Sequence, residues 1–66
     1  MRNSIKVERA RYDMTQADLA REIGVSRQSI NAIEKGKYVP SAVLALKIAA
    51  VFKLPVEQVF MLEESD

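Results

Sequence analysis

Apolar residues return at three- and four-residue intervals along most of this chain, a rhythm that gathers them on one side of successive helices. Residues 4–12 predict a first helix, with Ile5, Arg9 and Tyr12 on one stripe and Val7 and Ala10 beside it. That stripe is less cleanly amphipathic than those that follow, and Glu8 weakens it as a core element. Thr15 is a hydroxyl N-cap with Asp18 three residues on, so a second helix starts near Gln16. Leu19, Ala20 and Ile23 share one face, and Gly24 supplies the permissive backbone that ends the helix. After the turn Gly24-Val25-Ser26, Ser26 caps a third helix running to about Lys35. Met14 with Leu19, and Val25 with Ile30, occupy hydrophobic-staple positions, which fix both helix starts a second time. Lys37 to Pro40 cannot extend that helix, because proline disfavours helical geometry at the residue before it. Ser41 caps a fourth helix, Ala42 to Lys53, with Leu44, Ala45, Ile48, Ala49 and Phe52 as its apolar face. Pro55 opens a short fifth helix from Val56 to about Phe60, and the acidic residues 63–66 are expected to fray. No period-two stretch is long enough for a sheet. The expected architecture is all-α, a compact five-helix bundle in a single domain over residues 1–66, with a tight two-helix unit at 15–36.

Composition narrows the chemistry. The chain has no cysteine and no histidine, which rules out disulfides and removes the best metal ligands and nucleophile-activating bases. With no paired catalytic carboxylates on a clear cleft and no glycine-rich phosphate loop, neither an enzyme, a cofactor, a metal nor a small-molecule ligand is expected. No apolar run approaches the roughly 20 residues of a membrane span, and Met1 to Ser4 lacks the apolar region of a signal peptide. A soluble, cytoplasmic protein is expected, with no membrane partner. The net charge of +1 conceals an asymmetry: residues 1–37 carry eight Lys or Arg against five Asp or Glu, and residues 38–66 carry two against four. The basic excess travels with the two-helix unit. At 66 residues the core is near the lower limit for self-sufficiency, which makes oligomerisation an expectation from size alone.

The third helix carries the most telling surface. A turn of 100° per residue from Arg27 places Ile30 and Ile33 together on the buried side. The opposite side then holds Gln28, Asn31, Ala32 and Lys35, flanked by Arg27 and Ser29. A solvated helix ordinarily pairs Glu with Lys; this face has amides, a methyl and cations, with no acid. Gln28 and Asn31 can pair bidentately with adenine, Arg27 with guanine, Ala32 can meet a thymine methyl, and Lys35 can neutralise a phosphate. Gln16, at the first turn of the preceding helix, is placed to clamp a backbone phosphate. Ser26, Ser29, Lys37 and the Tyr38 hydroxyl are further candidates for backbone contacts, although Tyr38 also suits a role covering the loop.

Two charges fall where apolar residues belong. Glu34 lies next to the Ile30 and Ile33 side, and Arg9 lies between Ile5 and Tyr12 on the first helix. Each needs a counter-ion, and a partly buried Arg9–Glu34 pair answers both needs.

Residues 15–20 (TQADLA), 24–30 (GVSRQSI) and 33–36 (IEKG) resemble the Cro/C1, or Xre, helix-turn-helix family, and the likeness continues through Tyr38, Pro40, Leu46–Ala49 and Val59-Phe60. The resemblance implies a lambda-repressor-like DNA-binding bundle and a sequence-specific transcriptional regulator, expected to be a repressor. It makes the helix after Ser26 the recognition helix, with Arg27, Gln28 and Ala32 near base edges and Gln16 on phosphate. It also implies an Arg9–Glu34 salt bridge, a homodimer on a double-stranded operator, and pairing of Met1–Asn3 with Phe60–Leu62 as short strands. Ala32 departs from the longer side chains of some relatives, which leaves it at most a methyl contact. The Phe60, Met61 and Leu62 cluster independently suggests a covered patch, either within the subunit or at a two-fold dimer interface. The alternative is an antitoxin-like or adaptor module that uses the same fold to dock a protein. No effector-binding segment is evident, so regulation is expected from a separate protein or from concentration.

Overall fold

In a computed structural model that describes residues 1–66, the chain runs through β1 (Arg2–Asn3), α1 (Ile5–Arg11), α2 (Gln16–Ile23), α3 (Arg27–Glu34), α4 (Ala42–Phe52), α5 (Val56–Val59) and β2 (Phe60–Met61). The five helices fall where the periodicity places them, each end within one residue of expectation. Thr15 Oγ1 accepts from the Asp18 backbone N–H at 3.0 Å while the Asp18 carboxylate accepts from the Thr15 N–H at 2.9 Å, which completes a capping box. Ser26 and Ser41 cap α3 and α4 by the first of these two bonds alone, their hydroxyls accepting from the Ser29 and Leu44 N–H groups. α1 uses a different device. The Ser4 side chain leaves its own helix uncapped, and the Asn3 side-chain oxygen accepts from the Ile5 N–H instead.

The capping box carries a pH prediction. The Thr15 backbone N–H, then the Thr15 hydroxyl, and Arg21 beyond them hold the Asp18 carboxyl below its usual value of 3.8. A carboxyl depressed in the folded state contributes stability that is complete above the unfolded value and disappears as pH falls through the folded one. The melting temperature is therefore expected to drop on acidification below about pH 3.8, and Asp18→Asn should flatten that limb in a melting series. Equal slopes for the two proteins would remove Asp18 from the acid response.

α1 to α4 all end alike. Asp13, Gly24, Gly36 and Lys53 take left-handed backbone, with φ of 57°, 76°, 74° and 56°. The N–H of the next residue then reaches back five positions: Met14 to Arg9, Val25 to Ala20, Lys37 to Ala32 and Leu54 to Ala49, at 2.9–3.1 Å. This closure satisfies carbonyls that a helix end leaves unpaired. It also turns Met14, Val25 and Leu54 back against the core. α4 stops at Phe52, one residue short of the expected Lys53. Pro55 forces Leu54 out of helical geometry, so the reversal has to occur at Lys53.

The core comprises Ile5 from α1, Leu19, Ala20 and Ile23 from α2, Ile30 and Ile33 from α3, Ile48, Ala49 and Phe52 from α4, then Val59 and Phe60. α1 contributes less than its stripe implied: Val7 is exposed, and Glu8 is buried with Arg11 Nε 3.7 Å from its carboxylate. Tyr12 stacks on Phe52 with ring centroids 5.9 Å apart and donates its hydroxyl hydrogen to the Phe52 carbonyl at 2.9 Å. β1 and β2 pair antiparallel, Arg2 opposite Met61 and Asn3 opposite Phe60. The acidic tail does not fray as expected. The Met1 amino group lies 3.1 Å from both Glu63 and Asp66, and the Asp66 carboxylate accepts from the Glu63 N–H at 2.8 Å, so charge attraction and a local turn draw the two ends together. No helix is long and apolar enough to cross a membrane.

Candidate nucleic-acid interface

α3 is held on one side by Ile30 and Ile33, both almost fully buried, and its other side is open. Arg27 and Gln28 are exposed in its first turn, Ser29, Asn31 and Ala32 are half-buried along its flank, and Lys35 is exposed at its C-cap. Lys37 and Tyr38 follow in the loop, both exposed. The Schellman closure at Gly36 makes this run continuous, because it turns the chain out of the helix without leaving unpaired carbonyls behind it. The N-terminal end has no acidic residue in its first turn, so the positive end of the helix dipole is unmasked. The hydroxyls of Ser26 and Ser29 lie 3.0 Å apart there, and Ser26 also serves as the cap. Residues with the donors and cations that phosphates and base edges accept thus occupy one continuous surface from Ser26 to Tyr38.

The Arg9–Glu34 pair sets the position of that surface. Arg9 Nε and Nη2 donate to the two Glu34 oxygens at 2.7 and 3.1 Å, and Nη1 donates to the Met14 carbonyl at 3.0 Å. The two side chains are 14% and 8% exposed. One guanidinium therefore joins the end of α1, the residue preceding the α2 cap and the last residue of α3. A fork of this kind adds orientation to attraction, which a lysine at position 9 would not supply. Gln16 joins the same group, its Nε2 donating to Asn31 Oδ1 and Glu34 Oε1, each at 3.3 Å. The structure thus places Gln16 beside α3 and hydrogen-bonded to it.

Beside this pair lies a cleft lined only by polar side chains: Asn3, Lys6 and Arg9, Gln16, then Asn31, Glu34 and Lys35. Lys6 and Asn3 were not among the residues expected from sequence. Lys6 is three residues before Arg9 and so on the same side of α1, a spacing that marks it as a companion cation. Asn3 gave no such signal. Its Nδ2 donates to the Ile33 carbonyl at 2.9 Å, which ties β1 to the end of α3 across thirty residues. At the other end of the chain, Phe60 is 8% exposed and belongs to the core, Met61 is half-buried and Leu62 is 78% exposed. The Phe60 to Leu62 cluster is therefore divided. Phe60 is covered within the subunit, the first of the two expectations for the cluster, because its pairing with Asn3 turns the ring inward; as a dimer-interface residue it is corrected to a core residue.

A helix-turn-helix family model matches residues 5–59, which include all five helices. The chain belongs to the helix-turn-helix family of transcriptional regulators, a DNA-binding class without enzymatic chemistry. It is 52% identical to an uncharacterized HTH-type transcriptional regulator of Methanocaldococcus jannaschii, over the full length of both chains. It is 50% identical to YgzD of Bacillus subtilis, named in the same terms, again over both full lengths. The crystal structure of a hypothetical transcription factor from Neisseria, NHTF, shares the fold with a TM-score of 0.76 at 24% identity, covering 82% of this chain and 61% of the other.

Proposed function

We propose that this protein is a sequence-specific repressor that binds a double-stranded operator as a homodimer and reads the major groove with α3. The observation that carries the reading is the division of α3 into a face of two buried isoleucines and an opposite face of exposed Arg27 and Gln28 with half-buried Asn31 and Ala32. Arg27, Gln28 and Asn31 then meet base edges, with Ala32 as a methyl contact, while Gln16, Ser26, Ser29, Lys35, Lys37 and Tyr38 meet phosphates. Two copies would place their recognition helices roughly 34 Å apart, a spacing suited to a body of 31 × 22 × 20 Å. Exposed Leu62 beside Met61 supports a two-fold contact. A body of that size over an operator excludes other proteins from about one turn of duplex, which favours repression; the cytoplasm is the proposed site of action.

The test is retention of a duplex carrying the protein's own promoter. Lys35 and Lys37 from two subunits give four neutralised phosphates, so affinity should fall about 100-fold between 50 and 200 mM salt. Gln28→Ala should cost about 1–3 kcal/mol at one base pair and relax selection there, whereas Lys37→Ala should weaken every sequence alike and lower the salt slope. A flat salt response with no shifted duplex would sink the reading. A second reading, a protein-docking adaptor, is favoured by one observation: Val39 in the loop before α4, and Val43 and Leu46 in its first half, are each more than half exposed. It would prevail if Gln28→Ala and Lys37→Ala changed nothing while Leu46→Asp released a co-purifying protein.

A further inference from the structure

Eight lysines and arginines lie within residues 1–37, and ion pairs divide them. Arg9 is held by Glu34, Arg11 by Glu8 and Arg21 by Asp18. Of the five that no carboxylate holds, Arg27, Lys35 and Lys37 belong to the surface that runs from Ser26 to Tyr38, while Arg2 and Lys6 precede it in the chain. Lys6 rejoins that surface in space, because it lines the polar cleft together with Gln16, Asn31 and Lys35. The one acid in the cleft is Glu34, whose two oxygens accept from Arg9 at 2.7 and 3.1 Å. Arg9 thereby matches the charge of Glu34, and Lys6 with Lys35 leave the cleft with two positive charges in excess. An ammonium on a helix surface is ordinarily just solvated. Lys6 differs in standing across an opening from a second unpaired cation, at the edge of the proposed reading helix.

We propose that this cleft seats one phosphate of the duplex backbone, held between the ammonium groups of Lys6 on α1 and Lys35 at the end of α3. The inference rests on the DNA-binding reading above and extends its footprint from the two-helix unit to α1. Gln16, Asn31 and Lys35 belong both to the cleft and to the surface assigned to the duplex, so a duplex lying along α3 covers the mouth of the cleft. What a duplex brings there is its backbone, with one negative charge for about every 1.7 Å of axis. An opening of about 420 Å3 walled only by polar side chains admits an oxyanion with part of its water and offers an apolar ligand nothing to pack against. The two lysines act as point charges on the same group, from helices whose relative position the Arg9–Glu34 fork fixes. A contact of this kind carries no sequence information; it sets the register at which Gln28 and Asn31 meet the bases.

The operator is first defined by selecting bound fragments from random duplexes, and a series of that duplex is then made with a single uncharged methylphosphonate linkage at each position in turn. On the fully charged duplex, Lys6→Met and Lys35→Met should each weaken binding at least about fivefold at about 100 mM salt, with base preferences unchanged. At one linkage in each half-site, the same for both variants, removing the phosphate charge should cancel these costs, so that each substitution then changes affinity less than about twofold. Lys6→Arg, which keeps the charge, should restore binding, and Lys53→Met, at the C-cap of α4, should cost less than about twofold on every duplex. No loss for Lys6→Met, a loss that persists whichever linkage is neutralised, or an equal loss for Lys6→Arg would overturn the proposal while DNA binding stood. Failure of the wild-type protein to bind any duplex would overturn both. A free anion is the other source of the same chemistry, and titration of the unliganded protein with inorganic phosphate, followed by nuclear magnetic resonance, separates the two. Saturable binding below about 1 mM that Lys6→Met abolishes, together with duplex affinity independent of Lys6, would assign the cleft to a free phosphate and overturn the backbone contact.

Discussion

Glu34→Ala is expected to destabilise the fold by about 3–5 kcal/mol, because it leaves the Arg9 guanidinium without its fork partner in a site where the two side chains are only 14% and 8% exposed. In a domain of this size that loss lowers the melting temperature by roughly 10–40 °C. The effect reaches past one ion pair. Glu34 also accepts from Gln16, and Arg9 reaches the Met14 carbonyl, so the substitution loosens the meeting of α1, α2 and α3 together. The double variant Arg9→Met/Glu34→Leu should recover much of the stability, since two apolar side chains impose no desolvation cost on each other. It should not recover binding to duplex DNA in the same measure, because Gln16 and Asn31 lose their anchor. Urea denaturation of the three proteins checks this; a loss below about 1 kcal/mol for Glu34→Ala would mean that solvent screens the pair as it screens an exposed one.

Phe52→Ala should cost a comparable amount, about 3–5 kcal/mol, by a different mechanism. The Phe52 ring is fully buried at the end of α4 and is covered on one side by Tyr12. Truncation leaves a cavity in a core of only eleven buried apolar residues, and little neighbouring structure can collapse into it. Phe52→Leu should retain most of the lost stability, and Tyr12→Phe should cost about 1 kcal/mol through loss of the hydrogen bond to the Phe52 carbonyl. Thermal unfolding followed by circular dichroism separates the three. If Phe52→Ala and Tyr12→Phe melted together, the stack and the cavity would not be the dominant features of that corner.

Local signals carried the helices. Thr15, Ser26 and Ser41 act on donors three residues away, and Gly24 and Gly36 are the residues for which left-handed backbone is easiest, so each boundary was legible from its immediate neighbours. Asp13 and Lys53 perform the same reversal as those glycines; a short polar side chain makes it tolerable at Asp13, whereas nothing in the Lys53 side chain announces it, and there the cause is a proline two residues later. The Arg9–Glu34 pair was a long-range contact legible for a special reason. Each charge lay on an apolar stripe, and each therefore required an opposite charge that only the other was placed to provide.

The sequence alone determined the helix spans, their caps, the buried face of α3 and hence the class of surface on its other side, because all of these depend on interactions within about five residues and on the 3.6-residue period. Tertiary structure decided how distant residues meet: Tyr12 on Phe52, Asn3 at the Ile33 carbonyl, Phe60 turned into the core, and the Met1 amino group against Glu63 and Asp66. It also brought Gln16 of α2 within hydrogen-bond reach of Asn31 on α3. Such meetings depend on the angles and separations at which whole helices pack, which shape complementarity of the core sets and which no short window of residues contains.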